Sequence, residues 1–121
     1  MIKISLLLIS IFSLLYGLVF SFAPFFFAEL TQAEPTNIAW LRNIGASICG
    51  VLFLGLLFVY RSPSKNYDLF MIITVTSILQ TLGLIFSRFF NEFSAQNNLV
   101  IDFTIYSAVF VSLYLVYILL N

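Results

Sequence analysis

Hydrophobic positions run almost unbroken through four stretches, residues 4–22, 38–60, 67–89 and 99–120, and polar residues gather between them. Each stretch holds about 19 to 23 residues, which at 1.5 Å per residue matches a hydrocarbon core about 30 Å thick. The pattern predicts an all-α integral membrane protein, an antiparallel up-down four-helix bundle whose short connections make successive spans neighbours. One four-span membrane domain then accounts for residues 1–121.

Within span one, Ser10, Ser13, Gly17 and Ser21 fall on one narrow stripe at helical spacing, a face that lets a second helix approach closely. Its apolar core is longer than that of a signal peptide, and Pro24 follows the one small-residue site, so it reads as a retained span. The segment 23–36 is too short and too polar to cross. Pro24 suits a first helical position, and Phe25, Phe26 and Phe27 precede Glu29, which predicts a short interfacial helix with its rings toward lipid. Pro35 ends that segment, and Thr36 or Asn37 can cap the next helix.

Span two carries Trp40 near its start, as expected of an interfacial anchor. It also carries Arg42 and Asn43 about one turn inside its apolar run. A charge inside a span costs roughly 2.5–3.5 kcal/mol at the helix centre, less near an end, and normally faces protein. At 100° per residue Arg42, Gly45, Ala46 and Cys49 share a face with Gly50 at its margin, which predicts close packing there; Gly55 projects to the opposite side. A basic turn, residues 61–65, leads to Asn66 and Asp68, a helix start. Span three has Thr74, Ser77, Gln80, Thr81 and Arg88 within about 120° of one another. A hydroxyl can bond back to its own helix, whereas the Gln80 amide needs a partner on another helix or water. A polar loop, 91–98, precedes span four, where Asp102 lies about one turn in and Tyr106 and Tyr117 follow on its face.

Antiparallel packing brings Arg42, Arg88 and Asp102 to one membrane level. Asp102 can accept from one arginine in a two-bond fork, with Asn43, Gln80 and Tyr106 close enough in projection to complete a network. Three readings follow: a staple that fixes helix order, a ligand site, or an ion path, the last disfavoured because no acidic residue lies near mid-membrane. Two arginines against one aspartate leave a surplus positive charge. Glu29 or Glu92, water, or an anionic lipid head group at Arg42 and Arg88 could answer it.

Composition narrows the classes. Hydrophobic residues make up 62% of the 121 and charged residues 8%, against about 25% charged in soluble domains. Five basic and five acidic residues create no field that would draw nucleic acid. There is no histidine, and the lone cysteine, Cys49, forms no internal disulfide. No metal site, cofactor or catalytic set is expected, since a Ser-Lys pair would need Lys3 or Lys65 at the wrong end. Those two lysines and Arg61 lie at one end and Arg42 and Arg88 at the other, which places both termini in the cytoplasm by three basic residues to two.

The run Trp40-Leu-Arg42-Asn-Ile-Gly45-Ala, the Gly83-Leu-Ile-Phe-Ser-Arg88 end of span three and an acidic residue early in span four resemble a known family. These are the bacterial four-helix membrane proteins of domain of unknown function 4345, within the DoxX-like group. The likeness runs from the Pro24 segment to span four. Ser87 stands where that family typically has glycine, and Asp102 where it has glutamate. The resemblance implies a four-helix fold in a bacterial inner membrane with an outer-side polar cluster, and it implies no activity. Three functions stay open on the residues: an accessory or assembly subunit contacting other membrane proteins or a second copy of itself, a binder or carrier of an anionic lipid or other amphiphile, and, last, an enzyme.

Overall fold

A computed structural model describes residues 2–31, 38–92 and 98–121, apart from the side chains of residues 2 and 38–40. All the regular structure among them is helical. Helix α1 (Ile2–Phe22) is followed across Ala23 by α2 (Pro24–Thr31), with buried Pro24 at its first position. There its missing N–H removes nothing, because the first turn has no acceptor for it. Span two is assembled from α3 (Ile38–Ser47), a π-helical stretch (Ile48–Leu54) and α4 (Gly55–Arg61). Then come α5 (Tyr67–Phe89) and α6 (Asn98–Leu120). Among the described residues four helices are long and apolar enough to cross a membrane: Lys3–Phe22, Leu41–Arg61, Ser64–Phe89 and Asn98–Leu120. The capping expected of Thr36 and Asn37, the role of Pro35, and the anchoring expected of the Trp40 side chain lie outside the described residues.

The spans pack as two tight pairs. α1 lies along α3, the π stretch and α4, while α5 lies along α6. The pairs share a hydrophobic core of Leu6, Leu56, Val59, Phe70, Ile73 and Leu115. All six sit toward the end marked by the Arg61–Lys65 turn, where α4 packs on α5. At the opposite end α2 bridges the pairs, touching α1, α3 and α6. This cluster therefore occupies one half of the bundle, while Phe20, Ile101 and Ile105 are buried toward the other end.

Close approach explains the first pair. A Cβ added at Gly45 would lie 2.7 Å from the Ser21 nitrogen and 2.8 Å from the Gly17 carbonyl oxygen. One added at Gly17 would meet the Cys49 sulfur and lie 3.0 Å from the Gly45 oxygen. The backbones of α1 and span two thus touch through Gly17, Ser21, Gly45 and Cys49, the van der Waals contact on which helix association in lipid depends. The buried Ser10 hydroxyl donates to the Phe53 carbonyl at 2.9 Å and ties α1 to the π stretch.

Two expected packing residues fall elsewhere. Ala46 is exposed, because the seam uses only the i, i+3, i+7 line of Arg42, Gly45 and Cys49. Gly50 is exposed, with nothing within 4 Å of an added Cβ, whereas a Cβ on Gly55 would sit 2.6 Å from Ile73 Cδ1. The expectation for this pair is reversed, and for Gly55, which follows the π stretch, that stretch is the cause. Its bonds reach back five residues, so each residue turns less than in an α-helix. Over seven residues the lag is on the order of one residue step, enough to carry Gly55 round onto α5.

Candidate functional site

The α5–α6 pair is joined by a ladder of polar contacts. Thr74 bonds back to the Phe70 carbonyl at 2.8 Å. Ser77 and Thr81 each lie 2.9 Å from the Ser112 hydroxyl, and Thr81 also approaches the carbonyls of Ser77 at 2.8 Å and Ala108 at 3.3 Å. At its end Arg88 Nε donates to Asp102 Oδ1 at 2.8 Å. The pair makes this single bond and not a two-bond fork, and its side chains are 33% and 41% exposed. Among the described residues the outer guanidinium nitrogens and Asp102 Oδ2 have no other partner.

Arg88 and Asp102 line a half-open cavity of about 150 Å³ with Ile85, Ile105 and Tyr106. Asp102 and Tyr106 are one turn apart on α6, so carboxylate and phenol project the same way while Arg88 reaches in from α5. A second, apolar cavity of about 210 Å³ lies between α1, α2 and α6. Phe26 and Phe27 face it with Tyr16 and Phe20, and the Phe20 and Phe27 rings meet edge to face at 4.7 Å. Phe25 and Phe26 are exposed and Phe27 is half-buried, so the three rings do not act as one patch.

Arg42 does not join Arg88 and Asp102. Its Nη1 donates to the Ser21 carbonyl at 2.6 Å, on the last turn of α1. Carbonyls there have no intrahelical donor and carry the negative end of the helix dipole, so a guanidinium can cap them. The surplus positive charge expected of an Arg42–Arg88–Asp102 cluster therefore does not arise. One arginine meets a carboxylate, and the other meets a helix C-terminus.

Asn43 and Gln80 also stand apart from the pair. Both are exposed, Ser47 Oγ bonds the Asn43 carbonyl at 3.1 Å, and the Gln80 amide has no hydrogen bond among the described residues. The stripe expected on α5 divides along its length. Ser77 and Thr81 face α6, and Gln80, about 60° away from Ser77 in projection, faces out. Sequence reasoning missed Ser112, although it lies at helical spacing from the buried Ile105 and Leu115. It also missed Tyr114, whose hydroxyl donates to Ser5 Oγ at 2.8 Å and ties span four to span one.

The fold and these polar contacts define a multi-pass membrane protein of four apolar helices. No family model, curated protein or solved structure matches the chain.

Proposed function

We propose that the protein is a non-enzymatic accessory or assembly subunit that works by contacting other helices within the membrane. The observation that carries this reading is Gln80. Its amide offers two donors and an acceptor on the outward face of α5, well inside the span, with no bond among the described residues. Lipid tails supply no hydrogen bonds, so such a group gains when a polar side chain or backbone carbonyl of another helix reaches it. Exposed Gly83, one turn on, has nothing within 4 Å of an added Cβ, which leaves room for that helix.

The orientation belongs to the same proposal: both termini cytoplasmic, in a bacterial inner membrane. Lys3, Arg61 and Lys65 are exposed at one end, and the two arginines at the other are bonded within the protein. Loop charge is then more one-sided than a bare count of basic residues implies. Kinship with the four-helix family is supported by Arg88 late in span three pairing with Asp102 early in span four.

A photo-crosslinking amino acid in place of Gln80, activated in intact membranes, tests the subunit reading. Protein adducts are expected there and absent when the same probe replaces Leu79. Adducts to lipid alone at both positions would refute it. A second reading, an amphiphile binder, is favoured by the half-open cavity beside Arg88.

A further inference from the structure

We propose that the cavity between α5 and α6 binds a zwitterionic head group that carries a phosphate and a protonated primary amine. The inference rests on the amphiphile reading and sharpens it from an anionic to a zwitterionic ligand. Three polar side chains line the cavity, and their charges sum to zero: Arg88 positive, Asp102 negative, Tyr106 neutral. Arg88 and Asp102 meet through one bond, Nε to Oδ1. Among the described residues nothing else takes the four donors of the two outer guanidinium nitrogens or the lone pairs of Asp102 Oδ2. Tyr106 is 73% exposed, and its hydroxyl has no bond among the described residues.

A ligand completing this set must present acceptors to the guanidinium and phenol, and donors to the carboxylate, within a few ångströms. A phosphate two carbons from an ammonium does so. Its oxygens suit the planar guanidinium, and its N–H groups suit Oδ2. A purely anionic head group would satisfy Arg88 and crowd a like charge against Asp102. A quaternary amine has no N–H for Oδ2. The cavity of about 150 Å³ is half-open, so a head group can enter it from the surface. Ile85 and Ile105 complete its lining, and they suit the carbons between the two charges.

The chemistry has two sources, phosphatidylethanolamine or a free phosphoethanolamine, and one experiment separates them. The purified full chain in detergent is titrated with dioleoyl phosphatidylethanolamine, phosphatidylcholine and phosphatidylglycerol, and bound lipid is counted by native mass spectrometry. The ethanolamine lipid is expected to bind tightest. Tyr106→Phe, which removes only an exposed hydroxyl, should weaken it about fivefold, the worth of one ordinary hydrogen bond. Asp102→Asn should bring the ethanolamine and choline lipids to equal affinity. Displacement of the lipid by millimolar O-phosphoethanolamine would assign the site to the head group alone. Retention against it would assign it to the intact lipid, and either result upholds the site. Tightest binding of phosphatidylglycerol, lost in Arg88→Gln, would overturn the zwitterionic assignment and leave the amphiphile reading standing. Equal retention of all three lipids, unchanged in Tyr106→Phe and Asp102→Asn, would overturn both.

Discussion

Gly45 and Gly50 lie five residues apart in the same span, and the structure assigns opposite outcomes to the same substitution. In Gly45→Ala the new methyl would stand 2.7 Å from the Ser21 nitrogen and 2.8 Å from the Gly17 oxygen, where ordinary contact begins at 3.4 Å. Both are backbone atoms in α1, so no rotamer change relieves them. The helices must part by about 0.6–0.7 Å at that level, a gap that forfeits a quarter to a half of the dispersion energy of each contact it opens. Overpacking of this kind costs about 1–3 kcal/mol. In Gly50→Ala the methyl enters open space. Replacing glycine by alanine in a helix gains up to about 1 kcal/mol in either variant, so it largely cancels between them. The difference in unfolding free energy should therefore be about 1–3 kcal/mol, or roughly 5- to 150-fold in the equilibrium constant. Titration with dodecyl sulfate in mixed micelles, followed by circular dichroism, measures it. Adding Ser21→Gly to Gly45→Ala should not restore stability, because the backbone contacts remain. Equal midpoints for the two alanine variants, or full rescue by Ser21→Gly, would show that the two backbones do not meet at Gly45.

The π stretch makes a related prediction: Gly55→Leu should lower the unfolding midpoint by more than Gly50→Leu in the same titration, since Gly55 alone faces Ile73. Asp102→Asn should lower it by less than Leu115→Ala, because Asp102 is 41% exposed and Leu115 is fully buried; truncating a buried leucine costs about 2–5 kcal/mol. Ser112→Ala removes the hydroxyl shared by Ser77 and Thr81, and should cost about 0.6 kcal/mol, the average for a polar contact between membrane helices; a double-mutant cycle with Ser77→Ala measures the coupling. A reporter fused after Asn121 should read cytoplasmic, and one inserted between Gln96 and Asn97 should read outside.

What could be read without coordinates was whatever depends on length and regular period. The four apolar stretches are bounded by Pro24, the Arg61–Lys65 turn and the polar residues after Phe90, and the helices end within a few residues of those marks. Gly17 and Gly45 were legible as small-residue positions because α1 and α3 are regular up to their meeting point. Projection failed at Gly55, beyond the π stretch, which breaks the 100° step without a proline or other marker in the residues. It also misled at Arg42. Charge matching looks for a carboxylate, whereas the partner is a backbone carbonyl at a helix end, present whatever the side chain there.

The α5–α6 seam shows what a finer reading of the residues contains. On α5, Phe70, Thr74, Ser77, Thr81, Leu84 and Arg88, each buried or half-buried, form one line with spacings of 4, 3, 4, 3 and 4, while buried Ile73 lies off it against Gly55. On α6, Ile101, Ile105, Ala108, Ser112 and Leu115 are spaced 4, 3, 4 and 3 apart. That alternation averages 3.5 residues, the period of two helices in a left-handed seam. Antiparallel alignment sets Ser77 against Ser112 and Thr81 against Ala108, and the hydrogen bonds follow that alignment. It also brings Arg88 to the level of Ile101 and Asp102, so the ion pair falls where the hydroxyl ladder has already fixed the register. A 120° polar stripe on span three could not make this distinction, because it groups Gln80 with Ser77 and Thr81. A 3.5-residue seam separates them, leaving Gln80 one position off the line and turned outward. The same period that holds the pair together thus determines which polar side chain remains for a partner.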